Sequence, residues 1–286
     1  MPMGDEIVRV GTSGWSYPTG EGRWTGVVYP PGTKSELEYY AGRLFNTVEV
    51  NVSFYRLIPP ATARGWARIT PPGFAFAVKA WQKFTHPKMH AEAAGKEEAV
   101  TRADLDKFRA GLGPLAEAGK LGAVLLQFPP SFHASVQNLE HLGMLLEALA
   151  DFPLAVELRH RSWSHRHAET RSLLEGHRAT SVIIDEPKFP SSIRQEVGPL
   201  SGMLYLRFHG RNAAKWWKHE RAEERYDYLY TEGELRPFAE RIRKLRAESP
   251  LRRAFVFFNN HARGQAVQNA HMMLKMLAEG AGPVES

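Results

Sequence analysis

The chain has 286 residues, of which 43% are hydrophobic and 24% are charged, and it contains no cysteine. This composition excludes disordered, collagen-like and coiled-coil chains. The lack of cysteine also excludes disulfide frameworks, thiolate metal sites and a cysteine nucleophile. The 37 Lys and Arg residues against 31 Asp and Glu residues give a net charge of +6, which fits either a solvated basic surface or a polyanionic partner.

The sequence shows no targeting or membrane segment. Residues Met1–Glu6 lack a basic stretch followed by an apolar one, and no apolar run approaches the roughly 20 residues of a membrane span. We therefore expect a cytoplasmic protein without a signal peptide and without a membrane partner.

Short apolar runs recur along the chain, each bounded by Gly, Pro or polar residues, and they predict β-strands. The predicted strands are Ile7–Gly14, Thr47–Tyr55, Phe74–Trp81, Ala123–Phe128, Leu154–Arg159, Ser181–Asp185, Met203–His209 and Ala254–Asn260. Runs of this kind are typical of a parallel sheet that is covered by helices.

Apolar stripes at helical spacing lie between several of these strands. The stripes fall within Leu105–Leu115, Leu139–Leu149, Leu235–Leu245 and Val267–Leu277, and Thr231 to Glu234 matches a capping box. Strand and helix alternate without a long linker, which predicts an α/β fold and, more specifically, a single (β/α)8 TIM-like barrel over 1–286. The segment Arg211–Tyr230 is predicted to be a surface insertion before the seventh helix.

Side-chain alternation within each strand separates residues that face the barrel axis from residues that face the helices. Many polar side chains are predicted to face the axis near the carboxyl ends of their strands, where (β/α)8 enzymes have their active sites. They are, in chain order, Ser13, Trp15, Glu49, Asn51, Ser53, Tyr55, Lys79, Trp81, Gln127, Glu157, Arg159, Asp185, Tyr205, Arg207, His209, Arg211, Asn259 and Asn260. Buried charges need partners or a ligand. We expect either ion pairs, such as Glu49 with Lys79 and Glu157 with Arg159, or a functional pocket, and we favour the pocket for the whole set.

Motifs with a family signature extend over almost the whole chain. They are Gly11–Tyr17, Glu49–Tyr55, Phe76–Lys79, Leu126–Phe132, Glu157–His160, Tyr205–Gly210, Tyr228–Thr231, Phe258–Asn260 and Gly264–Ala270. In these motifs the chain resembles the DUF72, or YecE-like, family of TIM-barrel proteins. It departs from the family pattern at Val52 and Ser53, and its Arg211–Tyr230 insertion is longer and more charged than usual. The resemblance implies the barrel fold but supplies no activity, so function must be argued from the site.

The first functional hypothesis is an enzyme, a hydrolase or a lyase or isomerase, that acts on a phosphorylated or other anionic small molecule by general acid/base chemistry. The catalytic candidates are Glu49, Lys79, Glu157, Asp185 and His209. Glu49 or Glu157 would be the base and His209 the acid, while Lys79, Arg159 and Arg207 would neutralise developing charge. The substrate-binding candidates are Ser13, Trp15, Asn51, Tyr55, His86, Gln127, Arg159, Arg207, Arg211, Asn259 and Asn260. No dinucleotide or Walker fingerprint is present, and no cofactor is predicted.

Two alternatives stay open. The first is a nucleic-acid-binding protein or metal-dependent phosphodiesterase, by fold analogy with endonuclease IV. In that case Glu157, Asp185 and His209 would ligate a divalent metal, although the ligands are few and cations lie nearby. The run of bases and aromatics at 215–219 fits such a partner, but it also fits a lid with an aromatic anchor, and the acidic residues that follow weaken its field. The second alternative is a non-catalytic anion-binding barrel.

Overall fold

Eight strands form a closed barrel in which each strand neighbours the next along the chain and the last neighbours the first. The structure is a computed structural model that describes residues 7–18, 22–195, 198–218, 220–248 and 251–279. The strands are β1 (Val8–Ser13), β2 (Thr47–Val50), β3 (Ala75–Lys79), β4 (Leu121–Gln127), β5 (Leu154–Glu157), β6 (Thr180–Asp185), β7 (Met203–Phe208) and β8 (Arg253–Phe258). The pairs β1–β8, β3–β4, β4–β5, β5–β6 and β7–β8 are parallel. This confirms the predicted α/β fold and (β/α)8 barrel.

The second and third strands end earlier than predicted. β2 stops at Val50, and the next residues form a short helical turn in place of further strand. The Ser53 hydroxyl favours this turn. It lies 2.9 Å from the carbonyl oxygen of Val50 and 2.6 Å from that of Lys79, so it can donate its one hydrogen to either backbone acceptor. The predicted strand to Tyr55, and with it the strand alternation used for Asn51, Ser53 and Tyr55, is therefore wrong. The same holds for Trp81, Arg159 and Asn260, which were each predicted to end a strand and lie two residues beyond the ends of β3, β5 and β8.

Helices lie between the strands. They are α1 (Glu36–Tyr39), α2 (Val52–Tyr55), α3 (Pro60–Ile69), α4 (Gln82–Thr85), α5 (Pro87–Ala94), α6 (Arg102–Glu117), α7 (Val136–Ala148), α8 (Ser162–His165), α9 (His167–Gly176), α10 (Glu232–Glu248) and α11 (Gln265–Ala278). A π-helical turn covers Tyr40–Leu44, and 3-10 turns cover Ala222–Tyr226 and Ala262–Gly264. The four predicted stripes fall on α6, α7, α10 and α11, whereas the sequence patterns gave no signal for the shorter helices. None of the described helices is long and apolar enough to cross a membrane.

The chain divides into two compact units. The first comprises the described parts of Met1–Val48, Ile183–Pro187 and Val197–Ser286, and the second comprises those of Glu49–Val182 and Lys188–Glu196. A single domain over 1–286 stays a prediction. The N-terminal stretch Met1–Glu6 and His219 of the basic-aromatic run lie outside the described residues.

The first unit contains the paired strands β1, β7 and β8. Arg207 of β7 lies beside Phe257, and Phe208 lies beside Phe258, so the two strands end level with each other. Gly11 in β1 is required by close approach, because a Cβ atom there would lie 2.2 Å from the carbonyl oxygen of Thr47. These contacts fix the carboxyl ends of β7 and β8, where several predicted site residues follow.

The second unit contains the paired strands β3, β4 and β5. Gln127 and Glu157, the last residues of β4 and β5, are register partners. Lys120, before β4, donates through Nζ to the carbonyl oxygens of Ala67 at 2.7 Å and Thr70 at 2.6 Å, at the carboxyl end of α3. A cation at a helix carboxyl end is favourable, and burial lowers the pKa of this lysine. The helix is thereby fixed to the strand that supplies Gln127.

Candidate functional site

The last residues of three neighbouring strands in the second unit carry polar side chains. Lys79 ends β3, Gln127 ends β4 and Glu157 ends β5, so the parallel sheet places all three at one edge. Arg159 follows β5, and His86 follows α4. We call these five residues the β3–β5 cluster. All five were predicted site residues, and their physical interactions can be described within this unit alone.

An ion pair lies at the centre of the β3–β5 cluster. The Arg159 guanidinium donates to Oε1 of Glu157 from Nε at 2.7 Å and from the terminal nitrogen Nη2 at 2.6 Å. Glu157 is fully buried and the Arg159 side chain is 11% exposed. The pair expected from the sequence is therefore formed. Hydrogen bonds to a charged partner are the strong ones, so the guanidinium is held in one orientation.

Lys79 contributes a second cation to the cluster. Its ammonium lies 4.0 Å from the centre of the Phe54 ring, within the range of a cation–π contact. Phe54 also meets the His86 ring edge-on, with ring centres 4.9 Å apart. The sequence alternation assigned Phe54 to the outer face. The helical turn α2 instead brings its ring against two site residues.

His86 is held as a neutral imidazole. Burial, and then the charges of Lys79 and Arg159, lower its pKa to about 3, against a smaller opposite effect of Glu157. Its Nδ1 lies 2.9 Å from the Thr85 hydroxyl, and its Nε2 lies 3.5 Å from the amide nitrogen of Gln127. A proton on Nδ1 satisfies both contacts, since Nε2 can then accept from the amide.

The remaining candidates of the second unit follow β2. Glu49 is fully buried within the strand, as its predicted inward position requires. Asn51 comes directly before the turn, and Tyr55 lies at its end with 67% of its surface exposed. The structure does not assign Asn51 or Tyr55 to a pocket, so their predicted substrate-binding roles stay predictions.

Four buried or half-buried residues lie at the ends of β7 and β8 in the first unit: Arg207, His209, Asn259 and Asn260. We call them the β7–β8 cluster. A terminal nitrogen of Arg207, Nη1, lies 3.5 Å from Nε2 of His209, and the amide nitrogen of Asn259 lies 3.0 Å from Nδ1 of the same ring. A neutral imidazole has only one acceptor nitrogen. Because the Arg207 guanidinium and the Asn259 amide nitrogen can only donate, the neutral ring can accept only one of these two contacts, and the shorter distance favours acceptance from Asn259 at Nδ1.

Asp185 and Arg211 belong to a separate network in the first unit. Arg211 donates to both oxygens of Asp185, at 2.8 and 2.7 Å, and to Glu234 at 3.2 Å. The Tyr230 hydroxyl donates to Asp185 at 2.8 Å. The hydrogen bond to Asp185 raises the pKa of Arg211 above its ordinary value, while burial and the Asp185 charge raise that of Tyr230. Asp185 therefore already accepts hydrogen bonds from Arg211 and Tyr230. This favours a role in positioning these two side chains over a role in proton transfer.

Ser13 and Trp15 hold aromatic side chains through their backbones. The hydroxyl of Tyr17 donates to the carbonyl oxygen of Ser13, and that of Tyr29 donates to the carbonyl oxygen of Trp15. Ser13 is fully buried, and Trp15 is half-buried. Their predicted contact with a substrate remains a prediction.

No group of three or more His, Asp or Glu side chains among the described residues could hold a metal ion. The three ligands named for the metal alternative are all described residues. The donor set therefore does not fit a divalent metal, and no step is assigned to one.

The Arg211–Tyr230 insertion is fixed by internal contacts. Trp216 is buried, and the Arg225 guanidinium lies 5.5 Å from its ring centre. Lys215 pairs with Glu224 at 3.0 Å, whereas Trp217 is 58% exposed. One tryptophan thus anchors the segment and one reaches solvent. These contacts favour a lid with an aromatic anchor over a nucleic-acid stacking surface.

Several residues of these groups received no site role from the sequence. They are Phe54, Thr85, Tyr226, Tyr228, Tyr230, Glu234 and Asn269. The alternate tyrosines after Arg225 were a usable signal, because side chains two residues apart in an extended segment point to one side. Asn269 lies on α11, and its contacts depend on how this helix packs against residues far away in the sequence, which no local pattern shows.

Comparisons with known proteins agree with this architecture. The family model described as "Protein of unknown function DUF72" matches residues 9–285. The chain belongs to the DUF72 family. It is 31% identical over 285 residues to UPF0759 protein YunF of Bacillus subtilis, covering 95% of each chain. It is also 29% identical over 171 residues to UPF0759 protein YecE of Escherichia coli, covering 59% of this chain and 55% of the relative.

Solved structures of DUF72 proteins share the fold. A family member from Thermotoga maritima is 38% identical with a TM-score of 0.79, and the match covers 95% of this chain and 99% of that one. One from Enterococcus faecalis is 26% identical with a TM-score of 0.80, covering 95% and 96%. The family resemblance read from the motifs is therefore confirmed, and it leaves the activity to be argued from the two clusters.

Proposed function

We propose that this DUF72 protein is an enzyme that acts on a phosphorylated or other anionic small molecule by general acid/base catalysis. The carrying observation is that two cations, Lys79 and Arg159, lie in the β3–β5 cluster, with Arg159 held by the Glu157 carboxylate. The cluster also presents a neutral imidazole and an amide. Such a set offers an anion both charge and directed hydrogen bonds.

Arg159 and Lys79 would have different tasks. The rigid hold of Glu157 on Arg159 leaves the guanidinium in one orientation, which suits planar recognition of a phosphate or carboxylate. The contact with the Phe54 ring constrains the orientation of the Lys79 ammonium less than Glu157 constrains Arg159, so Lys79 would act as a point charge. The His86 ring stays uncharged at neutral pH, so it would donate or accept one hydrogen bond with the substrate without adding a positive charge to the site.

Proton transfer would fall to the remaining candidates. Glu49 or Glu157, both fully buried, would act as the base. His209 belongs to the first unit, and its role as the acid stays a prediction. Arg207 would stabilise negative charge beside it.

The anion-binding part can be tested by thermal shift with inorganic phosphate, pyrophosphate and a panel of sugar phosphates. We expect stabilisation of the wild-type chain by at least one of these anions, reduced in Lys79→Met and Arg159→Lys. Lys107→Met is the matched control, since it removes the same charge from an exposed position in the same unit. Equal stabilisation of wild type and Lys79→Met would place the anion elsewhere, and no stabilisation in wild type would refute the proposal.

Catalysis is tested separately by following each stabilising phosphate compound with phosphorus NMR in the presence of the protein. Chemical change that is abolished in Glu49→Gln supports the enzyme. An unchanged ligand would instead favour the non-catalytic anion-binding barrel. Binding of an oligonucleotide in place of small phosphates, with an affinity that falls steeply as salt is added, would favour a nucleic-acid partner.

A further inference from the structure

His209 and Arg207 lie out of solvent in the first unit. His209 is 1% exposed and Arg207 is 2% exposed, although both follow or end a strand at the edge where barrel enzymes bind their substrates. Chemistry on a dissolved molecule requires access to such groups. Either the cluster is purely structural or the residues that cover it move.

A short tyrosine-rich stretch, Tyr226–Tyr230, lies against the β7–β8 cluster, and we call it the strap. The Tyr226 ring centre is 6.5 Å from that of His209. The backbone carbonyl of Tyr228 accepts from the Asn260 side chain at 2.7 Å. The Tyr230 hydroxyl accepts from the backbone N–H of Gly210 at 2.9 Å. All three tyrosines of the strap thus contact the cluster or the residue next to it.

A buried acceptor beneath the strap points to a ligand. Asn260 is fully buried, and its side-chain nitrogen donates to Tyr228 and to the Asn269 side chain at 2.8 Å. Those two acceptors fix the amide orientation. Its Oδ1 then accepts no hydrogen bond from any described residue. A buried acceptor in that position is suited to a hydroxyl or N–H group brought by a bound molecule.

The two ends of the strap are held with unequal strength. At the carboxyl end, Tyr230 is 1% exposed and bonds to Asp185, Gly210 and Asn269. At the amino end, Asp227 accepts from Arg263 and from Gln265 on the outer side, and the Asp227 and Arg263 side chains are 34% and 64% exposed. Exposed ion pairs contribute little to stability. The amino end therefore opens at the lower cost.

We propose that the strap Tyr226–Tyr230 is a gate that hinges near Tyr230, opens at Asp227, and admits a ligand with a hydroxyl or N–H donor to His209 and Asn260. The gate shares His209 with the proposed function. Its test needs no substrate, so its failure and the failure of the proposed function are distinguishable.

The test measures the rate at which diethyl pyrocarbonate modifies individual histidines of the full chain, read by peptide mass spectrometry. In wild type, we expect His209 to react about tenfold more slowly than the exposed His167, because reaction waits for local opening. Asp227→Asn, which removes the exposed ion pair, should raise the His209 rate about threefold. Tyr228→Phe, which removes only the hydroxyl bond to Glu234 at 2.5 Å, should act in the same direction.

Asp151→Asn is the matched control, because it removes an exposed aspartate paired with Arg109 in the other unit. It should leave the His209 rate unchanged. The gate is refuted if His209 in wild type reacts as fast as His167, or if neither strap variant changes its rate. A parallel rise at His90, a buried histidine on α5 in the other unit, would also refute it, since that pattern reports general unfolding instead of local opening.

Discussion

In the β3–β5 cluster, Arg159 binds the carboxylate of Glu157, two residues before it at the end of β5, whereas Arg211 in the first unit follows β7 and binds the carboxylate of Asp185 at the end of β6. The Glu157 and Arg159 side chains are 0% and 11% exposed, but those of Asp185 and Arg211 are 10% and 36% exposed. Asp185 is also bonded by Tyr230, and Arg211 by Glu234.

The difference shows two uses of the same charge pair. The buried pair lies in the cluster with Lys79 and His86, and under the proposed function it takes part in anion binding. The half-exposed pair is extended into a network that holds the start of the insertion and the fixed end of the strap. Similar residues at strand ends therefore divide between binding and support.

The sharpest test of this comparison is Arg159→Ala. Removing the guanidinium leaves Glu157 buried without its main described partner, and we expect a loss of about 3 kcal/mol in the free energy of unfolding. Urea denaturation measures it. Arg171→Ala, which breaks an exposed pair with Glu175 on α9, should cost less than about 0.5 kcal/mol. An equally small loss in both variants would mean that the buried pair stabilises the fold no more than an exposed pair does.

Arg211→Ala should have a smaller effect on the same measurement. The guanidinium is partly solvated, so we expect a loss of about 2 kcal/mol, the scale of hydrogen bonds to a charged group. Arg236→Ala on α10 is the control, since its pairs with Glu232 and Glu279 are exposed. A loss for Arg211→Ala that equals or exceeds that for Arg159→Ala would reverse the order of the two regions.

The last test concerns the pH dependence of stability, and near neutral pH its effect is the smallest of the three. The pKa of His86 is about 3 in the folded chain and near 6.5 in the unfolded chain, so the unfolded chain binds the proton first as pH falls. This contribution to stability is complete above about pH 6.5 and is lost progressively toward pH 3, with a slope of up to about 1.4 kcal/mol per pH unit. His86→Asn should remove that part of the slope. NMR titration showing the wild-type ring charged at pH 5 would contradict it.

Strand alternation identified site residues where the backbone is extended and failed just beyond. It placed Lys79, Gln127 and Glu157 on one edge correctly, because each ends a strand. It failed for Tyr55 and Trp81, because a period of two holds only while the chain stays extended. The Ser53 hydroxyl donates to the Val50 carbonyl oxygen and so competes with continued strand pairing, which a pattern of apolar residues does not reveal.

The sequence by itself determined the barrel, the order of its strands and the family, because apolar periodicity and local motifs record which segments must be buried. Only the tertiary structure decided which charges distant in the sequence meet. Asp185 finds Arg211 and Tyr230, which are 26 and 45 residues away, and Asn260 meets the strap 32 residues before it. Such pairings depend on how the loops close over the strand ends, and a local pattern carries no record of that geometry.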